Sequence, residues 1–241
     1  MRSFAVGFTA GTMLASHEHD WHQLSYAAEG VLKVATPQGT WVVPPHRAAW
    51  IPAGIRHHEE FRSRGTLRNL YFARGTCHGM PADCATLDVS PLLRELIVHS
   101  AELGALDVRD AERLNLARVL LHQLHQSPRS AVQALPLPRD SRALAVALRL
   151  MADPSDEADL GAWASRVGAS KRTLQRAFMS DTRVSFSRWR QRARLLAAVE
   201  RLSAGASVTR TALDVGYASV SAFVSSFRRE FGRSPGRFID G

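Results

Sequence analysis

Only two cysteines, Cys77 and Cys84, occur in 241 residues. That is too few for a disulfide-built scaffold and too few alone for a thiolate zinc site. A reducing, cytoplasmic compartment is the expectation. No apolar run approaches the roughly 18 residues that a bilayer-crossing helix needs, so a membrane span is not expected. Arg2 followed by Phe4 to Ala15 has the outline of a secretory signal, but Gly7, Thr9, Gly11 and Thr12 dilute the apolar stretch. A buried first strand is expected there instead. Acidic charge is scarce late in the chain: from Leu160 to the end 15 basic residues face 5 acidic ones, whereas the first 159 residues carry 16 and 17. The net charge of +9 therefore lies wholly in the last third. A basic module joined to a neutral one marks a polyanion-binding domain, with double-stranded nucleic acid ahead of a membrane surface. Membrane binding would ask for a basic helix with an exposed apolar face.

Hydrophobic residues at 45% and charged residues at 22% are near globular averages, which excludes collagen-like, disordered and coiled-coil classes. Residues 4–76 consist of short β-branched and aromatic runs between Gly and Pro turns, such as Val31 to Ala35, a turn at Pro37 to Gly39, then Thr40 to Val43. That pattern predicts an all-β barrel or jelly roll. The period then becomes helical at Leu92, Leu93, Leu96, Ile97 and Ala101, and again at Ala111, Leu114, Ala117, Leu121 and Leu124. Leu116, Val119 and Leu120 widen the second stripe, which leaves two readings: both helices cover the barrel, or the surplus face meets a second subunit of a homodimer. Pro128, Pro136 and Pro138 interrupt any period between the halves. The expected organisation is a sensor barrel over 1–85, a helical packing or dimerisation region over 86–126, a linker over 127–139 and an all-α domain over 140–241.

The basic third repeats itself. Ala164, Val167, Gly168, Ser170, Leu174 and Phe178 are echoed by Ala212, Val215, Gly216, Ser219, Phe223 and Phe227. A small Ala lets two helices approach, Gly permits the turn, Ser caps the next helix, and the large residues anchor it. This is helix-turn-helix grammar, twice. A helical projection of the first reading segment buries Leu174 and Phe178 and presents Lys171, Arg172, Gln175, Arg176 and Met179. Arg and Gln are the side chains that pair bidentately with guanine and adenine edges. The second segment presents Ser221, Ser225 and Arg228, with Val220 and Val224 at its side, a weaker reading set. Between them, Ser185 to Ser203 reads as one helix long enough to set the register of both readers, with Arg188, Arg190, Arg192 and Arg194 expected to face phosphates.

Gly216, Tyr217, Ser219, Ser221, Phe223, Phe227, Arg228, Phe231, Gly232, Ser234 and Pro235 resemble the signature of AraC/XylS-type transcription regulators, over about Asp140 to Phe238. The resemblance implies a double helix-turn-helix that inserts Arg172, Gln175 and Arg176, then the helix from Ser219, into adjacent major grooves of promoter DNA. It also implies a homodimer, an effector and RNA polymerase as partners.

In the first half, His17, His19 and Gln23 fall at even spacings, so a strand would point them to one face and His22 to the other. Gly30 follows, and Pro52, Gly54 and His57 form a turn and a third histidine. These segments resemble the two cupin motifs over about His17 to Phe61, with Gln23 in place of the usual Glu and Phe61 in place of a frequent Asn. Three neutral imidazoles and an amide, from His17, His19, Gln23 and His57, suit one divalent transition metal, or else a polar pocket for an organic effector. Trp21, Trp41 and Trp50 are expected in the barrel core. Cupin folds also house metal-dependent oxygenases and isomerases, so a catalytic barrel tethered to DNA is the competing reading. Only Glu59 and Glu60 stand near the histidines as candidate bases, and regulation is favoured over catalysis.

Overall fold

The computed structural model describes residues 1–61, 64–104, 109–130 and 134–240. Contact density divides the chain into Met1–Thr36 with Trp41–Ala134, and the turn Pro37–Thr40 with Leu135–Gly241.

The first unit is built from β1 (Arg2–Phe8), β2 (Trp21–Glu29), β3 (Leu32–Thr36), β4 (Gly39–Val43), β5 (Arg47–Ile51), β6 (His58–Phe61), β7 (Gly65–Ala73) and β8 (Ala85–Asp88), then α1 (Pro91–Leu103) and α2 (Ala111–Gln126). Two further short strands follow, β9 (Arg129–Ser130) in this unit and β10 (Ala134–Pro136) at the division between the two. Among the described residues the strands form a six-stranded sheet in the order β1-β7-β2-β5-β8-β9 and a four-stranded one in the order β10-β4-β3-β6.

Strand alternation gives β2 two buried faces. Leu24 and Tyr26 point outward into a cluster with Trp50, Leu70 and Phe72, which Leu93, Ile97, Leu120 and Leu124 of α1 and α2 cover. Each such side chain, once buried, contributes about 1.5–3 kcal/mol. Ala27, on the other face, joins Phe8, Leu32, Val34, Ile51, Phe61 and Leu67 between the sheets. Of the three tryptophans, Trp50 is fully buried and Trp21 and Trp41 are half-buried. The helices do cover the sheet, yet Leu92 and Val119 remain exposed on their far side.

Two expectations are corrected. The first strand forms, but β1 is an edge strand paired only to β7, and Phe8 alone is buried. Its same-face neighbours Phe4 and Val6 stay 41% and 43% exposed. The expected linker is not without structure either. Arg129 and Ser130 pair with Leu87 and Thr86, and β10 adds to the edge at β4, a place where a strand proline is tolerated. Residues 131–133 of that segment lie outside the described residues.

The second unit contains α3 (Ser141–Ala152), α4 (Leu160–Arg166), α5 (Lys171–Thr182), α6 (Phe186–Ser203), α7 (Val208–Asp214), α8 (Val220–Phe231) and α9 (Pro235–Asp240). Ser170 caps α5 by accepting from the Thr173 N–H, and Ser219 caps α8 by accepting from the Ala222 N–H. Phe178 meets Phe186 and Trp189 edge-on, which seats α5 on α6. Phe227 packs against Phe223, Phe231 and Phe238, seating α8 beside α9.

Candidate functional site

His17 precedes β2 and pairs with His57 as an isolated bridge; His19 follows two residues on. Ring centroids of His17 and His57 lie 4.4 Å apart, those of His19 and His57 5.2 Å. The ligating atoms of all three lie within 4.8 Å of one another. A backbone carbonyl fixes each ring. Nδ1 of His17 stands 2.9 Å from the Ala15 oxygen, that of His57 2.8 Å from the Ile55 oxygen, and that of His19 2.7 Å from the Trp21 oxygen. A carbonyl only accepts, so Nδ1 of His17 and of His57 carries the proton, whereas His19 faces an acceptor oxygen at both ring nitrogens, that of Trp21 at Nδ1 and Gln23 Oε1 at Nε2. His57 Nε2 is buried with no partner. Burial lowers the His57 pKa to about 4, which keeps the ring neutral, the ligating form, at pH 7.

Gln23 is wholly buried and already engaged: its Oε1, an acceptor, lies 2.7 Å from His19 Nε2, and its Nε2 donates to Ser25 Oγ and Glu59 Oε1 at 2.7 and 3.0 Å. It therefore backs the histidines rather than standing free as a fourth ligand. Ser25 also donates to Glu59 at 2.6 Å, and burial pushes the Glu59 carboxyl up. His22 points the other way, stacked on Trp50. Beside the cluster, Tyr71 meets His19 edge-on and Phe4 stacks on Tyr71. Glu60 pairs with Lys33 at 3.4 Å, whereas Glu59, held at Oε1 by Gln23 and Ser25, keeps a buried Oε2 with no hydrogen-bond partner. Burial pushes the thiols of Cys77 and Cys84 up to about 11 and about 12, the protonated and unreactive range.

The reading helices stand as the projection expected. Lys171, Arg172, Gln175, Arg176 and Met179 are exposed on α5; Ser221, Ser225 and Arg228 are exposed on α8, with Val220 and Val224 half-buried at its side. Of the four α6 arginines expected to face phosphates, Arg190, Arg192 and Arg194 are engaged within the domain, while Arg188 keeps an exposed side chain. Arg194 donates to the carbonyls of Pro154, Gly216 and Asp156, and Arg190 to that of Ala158. Arg188 and Arg192 pair with the buried Glu230. The carbonyls belong to the segment between α3 and α4 and to the turn before α8, where no helical N–H satisfies them, and the carboxylate is the side chain of Glu230 on α8.

A helix-turn-helix domain profile matches residues 163–240, and an AraC-like ligand binding domain profile matches residues 6–144, more than half the chain. The chain belongs to the AraC family. It is a DNA-binding transcription regulator with an N-terminal ligand-binding domain. The HTH-type transcriptional regulator NimR of Escherichia coli strain K12 is 32% identical over 223 residues, 92% of this AraC-family chain and 81% of NimR. The regulator RipA of Corynebacterium glutamicum is 40% identical over 106 residues, 44% of this chain and 32% of RipA. Among solved structures, fatty-acid-bound ToxT of Vibrio cholerae covers 98% of this chain and 94% of its own at 10% identity, with a TM-score of 0.41.

Sequence reasoning missed Glu230, though a signal existed. It continues the stripe of Phe223 and Phe227, and an acid on a buried stripe requires a cation. Among the described residues no helix is long and apolar enough to cross a membrane.

Proposed function

We propose that this AraC-family regulator acts in the cytoplasm as a homodimer on promoter DNA, and that His17, His19 and His57 hold one divalent transition metal through which the sensor domain responds. The carrying observation is the buried, unpartnered Nε2 of His57, set among two more imidazoles with every Nδ1 tied to a carbonyl. An unpartnered buried polar atom costs about 1–3 kcal/mol, which a bound ion would offset. An ion there would supply a positive centre that Gln23, standing in place of a carboxylate, does not neutralise. The exposed Leu92 and Val119 suit the homodimer, and a regulator that activates would also engage RNA polymerase.

A second reading is an organic effector with no metal, favoured by the aromatic pair Phe4 and Tyr71 beside His19. Elemental analysis and Co(II) titration of the purified full chain decide between them. The metal reading expects one ion per chain and a d–d spectrum that His57→Ala abolishes. That loss should exceed the roughly 10–100-fold that removal of a mere supporting partner costs. Absence of ion and spectrum in the unaltered chain would sink the metal and leave the organic ligand.

A further inference from the structure

Each reading helix is attached to α6, and the two attachments differ in kind. The first unit leans on it through aromatic faces, Phe178 against Phe186 and Trp189. The second is held at both ends by guanidinium groups. At the turn that leads into α8, Arg194 Nη1 donates to the Gly216 carbonyl at 2.8 Å. The same guanidinium reaches the segment between α3 and α4, with Nε on the Pro154 carbonyl at 2.9 Å and Nη2 on that of Asp156 at 3.2 Å. Gly216 has φ +80°, and a Cβ there would lie 2.8 Å from Arg194 Nη2. At the far end of α8, Glu230, 8% exposed, takes Arg188 Nη2 at 2.9 Å and Arg192 Nε at 3.1 Å.

Aromatic faces resist separation but tolerate sliding; a planar fork on three carbonyls is directional and fixes rotation as well. We propose that Arg194 and Glu230 are positioning residues that fix the spacing and rotational phase at which the two reading helices meet DNA. Neither touches DNA in this role. A fold could seat α8 with apolar contacts alone, as α5 is seated on α6. The use of a buried carboxylate and a three-carbonyl fork at the two ends of one helix sets its axis relative to α6, and hence to α5. B-DNA makes such a setting matter, because one inserted base pair moves the second block by about 3.4 Å and turns it by about 35°.

The test uses full-length protein and duplexes recovered from a random-sequence library by the unaltered chain. A one-base-pair insertion between the two recovered blocks is expected to weaken unaltered protein about tenfold or more, since it misplaces the contacts of a whole block. Arg194→Lys keeps the charge and loses the fork; its insertion penalty is expected to fall to about threefold or less, with affinity for the first block alone held within about twofold. Glu230→Gln, which keeps the shape and loses the charge, is expected to shift the penalty in the same direction. The proposal is overturned if both variants keep the full insertion penalty, whatever their thermal stability or overall affinity. It is equally overturned if the unaltered chain selects two blocks without fixed spacing. If Arg194→Lys fails to fold, Glu230→Gln decides alone.

Discussion

The two helix-turn-helix units share a skeleton and differ in their surfaces. Ala164 and Ala212 are buried at the same helix crossing, Gly168 and Gly216 both take positive φ in the turn, and Ser170 and Ser219 cap the reading helices. Leu174 and Phe178 correspond to Phe223 and Phe227, all fully buried. Outward, α5 shows Lys171, Arg172, Gln175 and Arg176, where α8 shows Ser221, Ser225, Arg228 and Arg229, the two arginines falling in its last turn. The positions that build the unit and those it exposes, which we propose read DNA, are thus separate sets. Repetition is strong in the first set and absent from the second, so similarity between the units predicts equal folding and unequal reading.

Equal folding is the half of that statement with the largest effect. Phe223→Ala is expected to cost about 3–5 kcal/mol of stability in urea unfolding, and its counterpart Leu174→Ala about 2–5 kcal/mol. A cost below about 1 kcal/mol at one site only would break the equivalence of the two skeletons. Unequal reading comes next. Arg176→Ala should weaken binding to a selected duplex by about 1–3 kcal/mol and relax one base position, because a guanidinium reads a guanine edge bidentately. Ser225→Ala sits lowest, at about 0.5–1 kcal/mol, the worth of a single neutral hydrogen bond. Binding-site selection on both variants checks the ranking, and a larger loss of information for Ser225→Ala reverses it.

Most of the architecture was legible because it follows from local rules. The change from period 2 to period 3.6 near Leu92 separates barrel from helices, and the Ala, Gly, Ser and Phe spacing places both reading units. The histidine cluster was legible for the same reason, since even spacing puts His17 and His19 on one face and His57 returns across a single bridge. What the pattern could not give was the destination of long charged side chains. Arg188 with Arg192 and Arg190 with Arg194 are i,i+4 pairs on two faces of α6, as solvated rows would be, yet the partners of Arg192 and Arg194 lie 22 to 40 residues away in sequence. An arginine can lay its stem on apolar surface and carry its head to any carbonyl in reach, so periodicity says little about where it ends. The exposure of β1 was illegible for a related reason: alternation assigns a face, but not whether the opposite sheet reaches far enough to cover it.

The turn glycines turn this skeleton into a map of tolerated variation. Gly168 has φ +63° and a Cβ there would meet nothing within 4 Å, so backbone conformation is its single constraint. Asparagine, which visits the left-handed region more readily than other side chains, can satisfy it. Gly216 carries the same backbone demand and also keeps room for the Arg194 guanidinium and the Ser155 Cα, 2.8 and 3.0 Å from any Cβ built there. A library randomised at both codons and selected for folded protein would therefore keep asparagine at the first turn and return glycine alone at the second. Two positions that look interchangeable in the sequence repeat would drift at different rates, and a turn that has drifted in the first unit could not be transplanted into the second.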